Sequence, residues 1–104
     1  MSVWYVFATN LFVISFKMIA KDITIQNSEG LHARSATYFI QKANTYKSSI
    51  KIRSGSKTAN AKSLMCVLSL GISKGDTIVI EADGVDEVEA VNGITALINS
   101  GIAG

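Results

Sequence analysis

Apolar residues fall into short runs of changing period along the chain, and each period predicts an element. Ile19, Ile23 and Ile25 share one face of a short strand, with Lys21 as the exception on that face. Asn27-Ser28-Glu29-Gly30 is a turn cluster. Ala36, Phe39, Ile40 and Ala43 then recur at i, i+3, i+4 and i+7, the stripe of an amphipathic helix, which is expected to end near Tyr46-Lys47. Ile50 and Ile52 alternate with Lys51 and Arg53, a strand with one wet face. Ser54-Gly55-Ser56 turns the chain into a weaker strand around Lys57–Asn60. Ser63 fits the N-cap of a short helix bearing Leu64, Val67 and Leu68, which Gly71 terminates. After a turn at Ser73-Lys74-Gly75-Asp76 comes a strand over Thr77–Ala82, with Ile78 and Ile80 on one face. Asp83-Gly84 leads into a last helix carrying Val85, Val88, Val91, Ile94 and Ile98, with Asp86, Glu87 and Glu89 favourably placed at its positive end. The order β-α-β-β-α-β-α predicts an α+β fold, a two-layer open-faced sandwich. Three helices would cover one face of a four-stranded, mainly antiparallel sheet.

Residues 1–17 do not share this patterning. Met1 to Phe16 carries no charge and is rich in Val, Phe, Trp, Tyr and Leu. It lacks the positive start and small-residue cleavage site of a secretory signal. It is short for a membrane span and is interrupted by Thr9-Asn10 and Ser15. The expectation is an apolar, non-essential extension of the kind an upstream start codon produces, followed by one domain over 18–104. A membrane or partner anchor is the alternative, and no membrane insertion is expected.

With 104 residues, 48% of them hydrophobic, the chain fits one domain with a modest core and is not disordered. The single cysteine, Cys66, excludes an internal disulfide and suits a reducing cytoplasm. Its simplest role is that of a small buried apolar residue. The net charge of +2 hides a split. Between Glu29 and Asp76 there is no acidic residue, while Arg34, Lys42, Lys47, Lys51, Arg53, Lys57, Lys62 and Lys74 all lie there. From Asp76 onward every charged side chain is acidic. Such a basic stretch suggests an acidic partner, a phosphate or nucleic acid, or simply a solubilising surface. Without interleaved surface aromatics or a recognised motif, nucleic acid ranks last.

The chemistry concentrates at Gly30-Leu31-His32-Ala33-Arg34. His32 is the chain's one histidine, placed where a helix starts. Free N–H groups at a helix start favour anions, and an arginine nearby adds a planar, permanently charged clamp for phosphate. A neutral imidazole is a nucleophile able to take up a phosphoryl group. By itself such a histidine is as well explained as an ordinary N-cap or loop residue. One histidine without nearby cysteines makes a poor metal site, and no cofactor is expected.

Three segments decide between these readings. Gly30-Leu31-His32-Ala33-Arg34-Ser35-Ala36-Thr37 resembles the active-site run G-[LI]-H-A-R-P-A of the histidine-containing phosphocarrier (HPr) family of the phosphoenolpyruvate-dependent sugar phosphotransferase system. Lys62-Ser63-Leu64-Met65 through Ser69-Leu70-Gly71 is similar to that family's regulatory-serine segment, and Glu81-Ala82-Asp83-Gly84 with Asp86-Glu87 to its last strand-to-helix junction. The resemblance spans Met18 to about Gly101. It implies that His32 accepts a phosphoryl group on Nδ1 from Enzyme I and passes it to an Enzyme IIA, and that Arg34 steadies the phosphate. It implies a carrier, consumed and regenerated as a co-substrate, rather than an enzyme. Ser63 matches the serine phosphorylated by an HPr kinase/phosphorylase in many Gram-positive relatives, which points to an alternative: regulation through phospho-Ser63 and a catabolite-control transcription regulator. Thr37, Leu64, Met65 and Leu68 match partner-binding positions. Leu64, Met65 and Leu68 also fit a core, but one short helix cannot bury every side, and Met65 is expected to be the exposed one.

The chain departs from that pattern at two positions. Ser35 stands where the family usually has proline, which would preset the first helical turn. Serine keeps an N–H and adds a hydroxyl, so a slightly looser site is expected. Cys66 replaces a residue that is often glycine.

Overall fold

The computed structural model describes residues 18–101. Among the described residues there are four strands and three helices: β1 (Ile19–Thr24), α1 (Ala33–Ala43), β2 (Ser49–Ser54), β3 (Lys57–Asn60), α2 (Leu64–Ser69), β4 (Thr77–Asp83) and α3 (Glu87–Asn99). The strands form one sheet in the order β1-β4-β2-β3, and every neighbouring pair is antiparallel. The apolar extension expected over 1–17 lies outside the described residues.

Alternation along the strands sorts the two faces. Ile52 stands opposite Ile80 on β4 and Ala59 on β3, and Ile23 opposite Ile78, so the buried residues of all four strands line one side. The helices close over that side with Ala36, Phe39 and Ala43 from α1, Val67 from α2, and Ala90, Val91, Ile94 and Ile98 from α3. Each large apolar side chain removed from water in this way contributes roughly 1.5–3 kcal/mol. The other face stays polar and wet, with Lys51, Arg53 and Thr58 exposed there and Arg53 paired with Glu81. The expected two-layer α+β sandwich is the fold observed.

Local differences from the sequence expectations have local causes. Helix α1 ends at Ala43 rather than near Tyr46-Lys47. Past Ala43 the backbone tightens into three-residue turns, the Thr45 N–H donating to the Lys42 carbonyl at 3.0 Å and the Tyr46 N–H to that of Ala43 at 3.3 Å, while the Asn44 amide and the Thr45 hydroxyl add bonds to the Ile40 and Lys42 carbonyls. Val85 precedes α3 and is 83% exposed, and Val88 is 53% exposed, so neither joins the apolar stripe. The stripe starts instead at Ala90 and Val91, while Glu87 turns inward to accept the Gly84 N–H through Oε1. Cys66 is exposed, not buried. A six-residue helix presents one narrow strip to the core; Val67 occupies it, and a neighbour one residue away points about a quarter-turn off.

Asp86 joins the end of the fold remote from His32. Its carboxylate accepts from the Lys47 N–H at 2.8 Å, the Ser48 N–H at 2.9 Å and the Ser48 hydroxyl at 2.5 Å. The start of β2 is thereby tied to the start of α3. The Ser48 hydroxyl first, then the Lys47 N–H, lower the Asp86 pKa from its ordinary 3.8 to about 2.

Candidate functional site

The loop before α1 is fixed by backbone before any side chain acts. Gly30 adopts φ +65°, and a Cβ there would stand 2.3 Å from the Ile72 carbonyl oxygen. Only glycine permits both the left-handed turn and this close approach. Leu31 is buried, and its N–H donates to that same Ile72 carbonyl at 3.1 Å. The Asn27 amide donates to the Gly30 carbonyl at 2.6 Å. With Leu31 anchored inward, His32 is turned outward and exposed.

His32 is the N-cap of α1, with extended backbone at φ −100° and ψ −174°. Its carbonyl accepts the first intrahelical bond, from the Ala36 N–H at 2.7 Å. The N–H groups of Ala33 and Arg34 precede that bond, so they belong to the orphan donors that give a helix start its attraction for anions. Arg34 is exposed one turn-step on, with no ion-pair partner among the described residues. Thr37 is exposed on the next turn, its hydroxyl donating to the Ala33 carbonyl at 2.7 Å.

Helix α2 packs beside α1. Ser63 is its N-cap, and the Ser63 hydroxyl accepts from the Cys66 N–H at 3.4 Å. Lys62 donates through Nζ to the Tyr46 carbonyl at 2.8 Å, which ties the chain after α1 to the start of α2. Met65 is 76% exposed and Leu64 37% exposed, so both stand on the surface. Leu68 is half-buried and lines an open cleft of about 350 Å³ together with Leu31, His32, Ala33, Gly71, Ile72 and Ser73. The histidine loop and Leu68 of α2 therefore border one cleft.

Two further residues of α1, not singled out from the sequence as site residues, lie close in sequence to His32 and Arg34. Tyr38 is an exposed aromatic on α1, four positions after Arg34. The i, i+4 spacing from Arg34 was the available signal. Ser35 is the other. It is buried, and its hydroxyl bonds on both sides of Leu31. A hydroxyl three residues after an N-cap has the spacing of a capping box, which was legible.

Residues 19–100 match the family described as PTS HPr component phosphorylation site. The chain belongs to the HPr family. It is 43% identical over 81 residues to the phosphocarrier protein HPr of Haemophilus influenzae, covering 78% of this chain and 95% of that one. It is 41% identical over 81 residues to the HPr-like protein Crh of Halalkalibacterium halodurans, covering 78% and 96%. Comparison with the crystal structure of HPr-C-His from Thermoanaerobacter tengcongensis gives a TM-score of 0.80 at 40% identity, over 83% of this chain and 97% of that one. HPr proteins are phosphocarriers of the phosphotransferase system and are not enzymes, and this chain is a carrier of that kind, working with other components of the system. No helix among the described residues is long and apolar enough to cross a membrane.

Proposed function

We propose that this HPr-family chain carries a phosphoryl group on Nδ1 of His32, taking it from Enzyme I and giving it to an Enzyme IIA in the cytoplasm. The observation that carries the reading is the exposed His32 at the N-cap of an eleven-residue helix, with first-turn N–H groups and Arg34 beside it. In the transfer, the His32 Nδ1 lone pair forms the N–P bond as the bond from phosphorus to the donor breaks, and the ring proton stays on Nε2. The backbone N–H groups and the Arg34 guanidinium then face the added negative charge. Exposure of the ring suits a carrier, which must hand its phosphate on. Thr37, Leu64, Met65 and Leu68 form the docking surface in this reading, and residues 18–104 form the carrier domain.

Incubation with phosphoenolpyruvate, Mg²⁺ and Enzyme I, followed by intact-mass measurement before and after mild acid, tests it. One acid-labile phosphate on the wild type and none on His32→Ala is the expected result. No phosphate on a folded wild type, with an active Enzyme I control, overturns it.

The similarity to Crh supports a second reading, regulation through Ser63. An HPr kinase/phosphorylase with ATP would place a phosphate on the Ser63 hydroxyl, and a catabolite-control transcription regulator would recognise the product. Phosphate at this N-cap adds roughly −2 charge where the helix start tolerates it, so the fold should persist while an acidic partner is repelled. An acid-stable phosphate that vanishes in Ser63→Ala is expected, and its absence with an active kinase would sink this second reading.

A further inference from the structure

We propose that Ser35 is a positioning residue for His32, its hydroxyl acting as the clasp that holds the histidine's backbone at the helix start. The inference rests on the phosphocarrier reading of His32 and adds a residue to it.

The Ser35 side chain is 5% exposed, and its hydroxyl is committed twice. It donates to the Gly30 carbonyl at 2.9 Å and accepts from the His32 N–H at 3.1 Å. A hydroxyl has one proton and spare lone pairs, so both bonds form together. The His32 carbonyl lies farther, at 3.4 Å, and already accepts from the Ala36 N–H. The two bonds flank Leu31 and close a ring over Gly30–Leu31–His32. Leu31 itself is held through its N–H to Ile72, and the Gly30 carbonyl also receives the Asn27 amide.

The consequence follows from where His32 is held and where it is not. Its side chain is exposed, so packing does little to fix the ring. Its direction is set chiefly by the backbone from which it springs. Of the backbone groups of His32, the N–H is fixed by Ser35 and the carbonyl by the first helical bond. Removing the hydroxyl leaves the carbonyl end held and frees the N–H end, so the ring samples directions away from the first-turn donors. Phosphoryl transfer depends on alignment, and misplacement by about 1 Å costs up to ~100-fold. A proline at this position restrains the same turn by a different means, a fixed φ, and a third helical residue has no N–H to lose from the helix's own bonding.

Single-turnover transfer from phospho-Enzyme I separates this role from simple stabilisation. For Ser35→Ala, the maximal rate should fall about tenfold while the half-saturating concentration stays within about twofold. Ser35→Pro should recover most of the rate by restoring rigidity without a hydroxyl. Ile94→Val, a core variant remote from the loop, gives a destabilised control whose maximal rate stays at the wild-type value. A Ser35→Ala protein with wild-type transfer overturns the proposal, as does a folded Ser35→Pro protein no faster than Ser35→Ala. Amide exchange supplies a readout that needs no phosphate. The His32 N–H should exchange faster in Ser35→Ala, and unchanged protection there also overturns the clasp. If the wild type takes no phosphate, the carrier reading fails by itself, and the exchange measurement still decides for or against Ser35.

Discussion

Arg34 is held by nothing that a partner would have to displace. It is exposed on the first turn of α1 and has no ion-pair partner among the described residues. Its planar fork is free for an arriving phosphoryl group, and a charge-assisted hydrogen bond of this type contributes about 1.5–3 kcal/mol. Arg34→Ala is therefore expected to slow phosphoryl acceptance by roughly tenfold or more, since about 1.4 kcal/mol is tenfold in rate. Its melting temperature should stay close to the wild type's. Arg34→Lys keeps the charge but loses the fork and should recover only part of the rate. An unchanged rate for Arg34→Ala would remove the residue from the site. The sequence exposed His32 and Arg34 because their spacing and the glycine before them are local features. It gave Met65 correctly as an exposed residue of α2. Cys66 it misplaced, because burial on a helix this short depends on which single residue meets the core, and that is decided by α2's tilt against its neighbours. The role of Ser35 depends on a carbonyl five residues back in the chain, reached only once the Gly30 turn is formed.

Elements meet here through a few turns that tolerate little change. At Gly30, a methyl group would collide with the Ile72 carbonyl and a positive φ would be forced on an L-residue. Gly30→Ala should destabilise the protein by at least about 1–3 kcal/mol and displace the loop that presents His32, so transfer should fall with stability. Chemical denaturation beside the transfer assay checks both, and a variant as stable as the wild type would contradict the clash. At the far end, Asp86 couples β2 to α3 and titrates accordingly. Its folded pKa, about 2, lies below its ordinary 3.8, so the unfolded chain binds the proton first as pH falls. The stabilisation is thus present above about pH 4 and is lost progressively as pH drops toward 2. Asp86→Asn should flatten the fall in stability over that window, and an identical acid profile for the variant would show that Asp86 does not set it. Strand and helix order was legible from periodicity, because alternate burial on one face of a sheet writes a period of two into the sequence. The ends of α1 and α3 were not, because the three-residue turns past Ala43, and the inward turn of Glu87, decide them after folding.

Across the whole molecule, the charge split along the chain becomes a split between elements. Acidic residues from Asp76 onward lie on β4, α3 and their flanking turns, whereas α1, β2, β3 and the segment leading into α2 carry basic residues and no acidic ones. His32 starts the basic part. A phosphorylated, acidic donor protein would be attracted by the basic residues of α1 next to His32, and its approach would be oriented before any contact forms. Not every basic residue is available for this: Lys62 donates to the Tyr46 carbonyl, and Arg53 is paired with Glu81 on the open face of the sheet. Arg34 is not so engaged among the described residues, and it stands beside the site. Electrostatic attraction over such distances is screened within about 10 Å at 0.1 M salt and about 3 Å at 1 M. The rate constant for phosphoryl acceptance at limiting protein should therefore fall about tenfold between low and high salt. The maximal rate at saturation, which the proposed alignment at His32 would set, should change much less. Rapid-quench transfer measured across a salt series separates the two, with the melting temperature followed in parallel to show that the fold is unaffected. A bimolecular rate that ignores salt would mean that the basic elements serve solubility and that recognition rests on the apolar residues Leu64, Met65 and Leu68. A fall confined to the saturated rate would place the sensitivity at the proposed phosphoryl site, beside Arg34 and the first-turn N–H groups.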